Sequence, residues 1–125
     1  MADPLRSQAT SAQLEKVLEA FELLRLLDRE MPGQVVCCFL YVASHDGCHK
    51  QAMEDALGLT AASSSRNTDI LSKGRPGRSA EGLDLITKEV DPSNRRRQVL
   101  TLTPRGKALA QHMKATIYGK TTDLG

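Results

Sequence analysis

Apolar residues recur at helical spacing from Ser11 to Glu30. Leu14, Val17, Leu18, Phe21 and Leu24 form one stripe, Ala20, Leu23 and Leu27 a second beside it, and Leu26 widens the band. This period predicts an amphipathic helix. One stripe suffices for a helix lying on its own domain, so a band this broad predicts a second partner. The two candidates are more of the same chain and another copy; the scarcity of other apolar helices favours the copy. Met31-Pro32-Gly33 breaks the helix and Pro32 starts the next, whose Val35, Val36, Phe39, Leu40, Val42 and Ala43 predict a mostly buried element ending at His45-Asp46-Gly47. Beyond Cys48 the pattern predicts a short helix with Ala52, Met53, Ala56 and Leu57 on its apolar face. Gly58 supplies a left-handed stop, and Thr60 caps another helix running to about Lys73. Helix, tight glycine turn, helix is the helix-turn-helix pattern.

Residues 72–82 contain three Gly and a Pro with little apolar content, and Lys73, Arg75 and Arg78 make the expected loop cationic. Leu83–Val90 and Gln98–Thr103 read as strands, separated by the turn chemistry of Asp91-Pro92-Ser93-Asn94. Arg95, Arg96 and Arg97 lie between turn and second strand, so the pair predicts a β-hairpin with a cationic tip over residues 83–103. Thr103 is placed to cap a final helix that has Pro104 at its first position. Leu109, Met113 and Ile117 form the apolar stripe of that helix, and Gly119 is its expected stop.

The residues Asp91-Pro92-x-Asn94-Arg95-Arg96, then Val99-x-Leu-Thr-Pro-x-Gly106, resemble the wing and final-helix start of the MarR-type winged helix-turn-helix regulators. Ala56-Leu-Gly-Leu-Thr60 and the following Ser63-x-Ser65-Arg66 resemble the turn and recognition helix of the same family. The resemblance implies a mainly α fold with a small β-hairpin, a winged helix-turn-helix with N- and C-terminal dimerisation helices. It implies one domain over residues 11–118 with a helix-turn-helix over 48–73; the polar residues 1–10 are expected to be a flexible N-terminus and 119–125 a tail. Relatives join recognition helix to wing with fewer residues, which makes 72–82 look like an insertion. Relatives usually carry Asp where Asn94 stands, and Val and Leu where Ser64, Asn67 and Thr68 stand. With only Leu59, Ile70 and Leu71 left as large anchors, a weakly seated recognition helix is expected.

Composition bounds the rest. A chain of 125 residues with 40% apolar content is expected to form one domain with its own core. Two Phe, two Tyr and no Trp make that core aliphatic and leave few stacking platforms for single-stranded nucleic acid. The net charge of +2 conceals an asymmetry: residues 1–60 carry 5 Lys/Arg against 9 Asp/Glu, and residues 61–125 carry 12 against 6. A basic half suits a polyanion-binding module; a polarised but inert surface is the alternative. No apolar run approaches the roughly 18 residues of a membrane span, and the N-terminus lacks the hydrophobic stretch of a signal peptide, so a cytoplasmic protein is expected. Cys37, Cys38 and Cys48 are odd in number and lack metal spacing, which predicts reduced thiols. His45, His49 and His112 are treated as surface residues.

Candidate chemistry concentrates on duplex DNA. The major groove admits one α-helix and a wing lies over the adjacent minor groove. Ser63, Ser65, Arg66 and Asn67 are the candidate base or phosphate contacts of the recognition helix, with Arg66 suited to guanine and Asn67 to adenine. A solvated serine face is the alternative. Arg95, Arg96 and Arg97 are the candidate wing contacts, because a narrow minor groove concentrates negative potential. Lys73, Arg75 and Arg78 either follow the backbone or form a solvated linker, and Lys88, Arg105 and Lys107 are candidate phosphate contacts near the hairpin base. No phosphate loop, nucleophile triad or metal set stands in a supporting context, so no enzyme, cofactor or metal is expected. The family's small phenolic effectors have no identifiable pocket here. The expected function is a homodimeric repressor on an inverted repeat, paired through first and last helices. The rivals are a winged-helix protein-interaction module, acting as adaptor or inhibitor of a transcription or replication machine, and a sequence-independent DNA compactor.

Overall fold

Capping and turn residues set the element boundaries. In this computed structural model, which describes residues 8–74 and 81–118, the order is α1 (Ala12–Arg25), α2 (Gly33–Ser44), β1 (Cys48–His49), α3 (Lys50–Leu57), α4 (Ala61–Leu71), β2 (Ile86–Asp91), β3 (Asn94–Leu102) and α5 (Pro104–Tyr118). Ser11 opens α1 by accepting from the Leu14 N–H at 3.2 Å, and Thr60 opens α4 by accepting from the Ser63 N–H at 3.1 Å. Gly58 ends α3 at φ 66, a left-handed conformation that glycine adopts without a Cβ penalty. Helix α1 stops at Arg25, short of the expected Glu30, and continues only as turns. No described helix is long and apolar enough to cross a membrane.

The strands form a three-stranded antiparallel sheet in the order β1-β3-β2. The two-residue β1 was not expected: Cys48 and His49 pair with Leu100 and Val99 instead of opening the helix. The expected hairpin is otherwise present, with β3 running back through the arginines as far as Asn94.

The core gathers Ala20 and Leu24 of α1, the buried face of α2 around Phe39, Met53 of α3, Leu71 of α4, Leu85, Ile86, Leu100 and Leu102 of the sheet region, and Met113 of α5. Phe39 is the largest side chain that is fully enclosed. Helices α1 and α5 pack along one another. Ala52 and Ala56, expected on the buried face of α3, are exposed, and Lys50 is buried in their stead.

The joint between sheet and α5 explains two residues of the Thr-Pro-x-Gly sequence. The Thr103 hydroxyl donates to the Asp84 carbonyl at 2.8 Å and accepts from the Gly106 N–H at 2.9 Å. A Cβ on Gly106 would fall 2.0 Å from the Leu85 carbonyl oxygen, so this position requires glycine for close approach. Residues 82–85 run beside the end of α4, where the Leu83, Asp84 and Leu85 N–H groups donate to the Ile70, Ser72 and Leu71 carbonyls. Those bonds satisfy acceptors that a helix C-terminus leaves open.

Candidate nucleic-acid interface

The interface begins with how α4 is held. Ser64, Asn67 and Thr68 are buried, and each has a polar partner. The Ser64 hydroxyl donates to Glu54 Oε2, which also accepts from Lys50 Nζ at 2.5 Å. Asn67 Nδ2 donates to Gln34 Oε1 at 3.1 Å, tying α4 to α2. The Thr68 hydroxyl donates to the Ser64 carbonyl at 2.8 Å and accepts from Lys88 Nζ at 3.0 Å, while the same ammonium reaches Asp69 Oδ1 at 2.7 Å. Burial pushes the Glu54 carboxyl up, but the bonds from Lys50 and Ser64 and the Lys50 charge outweigh it and hold it below its ordinary value.

This network corrects the expected seating of α4. Helix α4 is not weakly seated; its seat is polar instead of apolar. Asn67, expected to read adenine, is buried and donates inward to Gln34. Lys88, an expected phosphate contact, bonds Thr68 and Asp69 in the free chain. Ile70, named as an anchor, is 38% exposed. Arg105 is exposed, with its Nε donating to the Leu83 carbonyl at 3.0 Å.

Outward from that seat lie Ser63 and Ser65, half-buried, and Arg66, exposed with its guanidinium 3.3 Å from the Ser63 hydroxyl. Lys73 is exposed just beyond α4. Arg75 and Arg78 lie outside the described residues, as do residues 1–7 of the expected flexible N-terminus and the whole 119–125 tail. Arg95, Arg96 and Arg97 are all exposed, and among the described residues none forms an ion pair with a carboxylate.

The turn that precedes those arginines is braced. Asp91 Oδ1 accepts from the Ser93 N–H at 2.9 Å and hydroxyl at 2.8 Å, and Asp91 Oδ2 accepts from His49 Nε2 at 2.8 Å. Asn94 Oδ1 accepts from the Arg96 N–H at 3.1 Å, so Asn94 steadies the tip through the backbone and not through an ion pair. His49, set aside in the sequence as a surface residue, is therefore part of the wing. Its partner is 42 residues away, and no local signal marks it.

The His49 bond, then the two from Ser93, hold the Asp91 carboxyl down at about 2, against an ordinary 3.8. A group whose pKa falls on folding stabilises the fold above its unfolded value, and that contribution disappears as pH drops through the folded value. Asp91→Asn is accordingly expected to melt below the parent protein at pH 6, with the gap closing between about pH 4 and pH 2. Thermal melts across that range check it; a constant gap would contradict the assignment.

The three thiols are free. Burial raises Cys38 to about 11 and also pushes Cys48 up, so both thiols hold their protons more tightly than a free cysteine.

No protein-family model and no curated protein matches the chain by sequence. Solved structures do match by fold. The S. aureus MepR–DNA complex aligns with 85% of this chain and 78% of its own, at a TM-score of 0.65 and 20% identity. Reduced AbfR bound to DNA aligns over 89% and 76%, at 0.59 and 12%. PcaV, a transcriptional regulator from Streptomyces coelicolor, aligns over 85% and 72%, at 0.56 and 18%. MarR itself is among the matching folds. The chain thus has the MarR-like winged helix-turn-helix fold that its wing and turn sequences resemble.

Proposed function

We propose that this protein is a double-stranded DNA-binding transcription regulator, acting as a homodimer on an inverted repeat and repressing by occupying a promoter. The observation that carries the reading is the exposed arginine triplet, unpaired with carboxylates among the described residues, on the wing of a fold whose relatives include DNA complexes. In this reading α4 enters the major groove, with Arg66 gripping a guanine edge and Ser63 and Ser65 contacting base or phosphate. Lys73 adds a phosphate contact. The wing arginines reach the neighbouring minor groove or its backbone.

The dimer reading rests on apolar surface that the chain itself leaves uncovered. On α1, Leu14 is 69% and Leu18 58% exposed, with Val17 and Phe21 beside them, and Ile117 and Tyr118 are exposed near the end of α5. Two packed helices presenting that much apolar area match the surface a second copy would cover. Leu18→Glu is expected to convert the dimer to a monomer in sedimentation equilibrium, with loss of binding to a palindrome. A variant that sediments like the parent would remove α1 from the interface.

Enrichment of bound duplexes from a random pool tests the function directly. Selection of an inverted repeat with half-sites about one helical turn apart supports the regulator. Salt-sensitive binding without a selected site points to a DNA compactor, and no binding points to a protein-interaction module. Arg66→Ala should relax preference at one position per half-site, at a cost of about 1–3 kcal/mol for the preferred base. An unchanged selected sequence would place Arg66 off the bases.

A further inference from the structure

The ladder between β2 and β3 is regular from Ile86 opposite Leu102 to Val90 opposite Gln98, and then jumps so that Asp91 faces Asn94. One step on β2 corresponds to four on β3, and Arg95, Arg96 and Arg97 are the residues passed over. Such a bulge throws side chains out of the pleat but gives up the ladder bonds that would fix it. Three adjacent guanidiniums also repel one another. The base of the bulge therefore needs a brace from outside the β2–β3 pair.

Asp91 provides one end of it and His49 the other. Asp91 stands at the foot of the bulge, directly opposite Asn94, and holds the turn through both donors of Ser93. His49 belongs to β1, which pairs with the opposite edge of β3 and faces Val99. The 2.8 Å bond from His49 Nε2 to Asp91 Oδ2 thus joins the two outer strands across β3. It also ties the wing to the residue immediately before α3, the first helix of the helix-turn-helix.

We propose that His49 is a positioning residue for the wing, holding the arginine bulge in its binding shape through Asp91. This rests on the duplex-binding reading above. Without the bridge the same three cations are present but must be ordered on binding, which weakens affinity without changing how many phosphates are neutralised.

The experiment measures duplex affinity across a salt series, and amide hydrogen exchange of residues 94–98 in the free full-length protein, for the parent, His49→Ala, His49→Gln, Asp91→Ala and the double alanine variant. Expected are faster wing exchange and about tenfold weaker binding for His49→Ala, with the slope of log affinity against log salt unchanged. His49→Gln, whose amide also donates, should recover most of the loss. The double variant should bind no more weakly than Asp91→Ala. Unaltered exchange in His49→Ala overturns the bridge, and altered exchange with unaltered affinity overturns its use in binding. A shallower salt slope makes His49 a phosphate contact and likewise overturns the positioning role. Absence of duplex binding by the parent protein would sink the regulator reading, while the exchange data still decide whether His49 orders the wing.

Discussion

Alanine at Arg95, Arg96 and Arg97 together is expected to weaken duplex binding on the order of 100-fold or more, for every sequence alike. The three side chains are exposed and lie where the β2–β3 ladder skips, so removing them deletes charge without opening the core. Charge-assisted bonds to phosphate are among the stronger polar interactions. Every phosphate that no longer meets a guanidinium should also flatten the dependence of log affinity on log salt by about 0.9, and two-fold symmetry doubles that change in a dimer. Melting temperature should hardly move. A variant that keeps the parent salt slope would show that the wing does not touch the backbone.

Glu54→Ala is the substitution expected to cost most in stability, about 3 kcal/mol. It strands the ammonium of Lys50, a residue 9% exposed, and the hydroxyl of the fully buried Ser64, both of which rely on the same carboxylate oxygen. Breaking one side of a buried pair leaves an uncompensated group, whereas replacing the whole set with apolar residues of similar volume is often neutral. Lys50→Leu, Glu54→Leu and Ser64→Val combined should therefore recover much of what Glu54→Ala loses. Denaturant midpoints separate the two cases, and equal losses in both would mean the seat contributes through shape alone. The carboxyl of Glu54 is held below its ordinary value, so its contribution is complete near neutrality and fades on acidification.

Legibility followed the range of the interaction. Helix periods, the Gly58 stop, the Thr60 and Thr103 caps and the wing turn are written in neighbouring residues, because each is set by φ/ψ preference or by bonds spanning three or four positions. The same local chemistry carried the family resemblance, and the fold agrees with it. Sequence also marked the arginine triplet and the broad apolar band of α1, since an unneutralised charge run and an overwide stripe are visible without coordinates.

What sequence could not assign was which polar residue turns inward. Asn67 and Arg66 are neighbours of similar polarity, yet one meets Gln34 of α2 and the other faces solvent. Lys88 reads as a basic residue beside a basic tip, and only the packing of β2 on α4 commits it to Thr68 and Asp69. Strand β1 is two residues long, too short for any period, and exists because β3 offers it an edge. His49 and Asp91 acquire their roles from that pairing. Local chemistry thus determined the elements and their order, while tertiary packing between residues distant in the chain decided which charges remain available to a partner, because a side chain's freedom depends on what packs beside it and not on its neighbours in sequence.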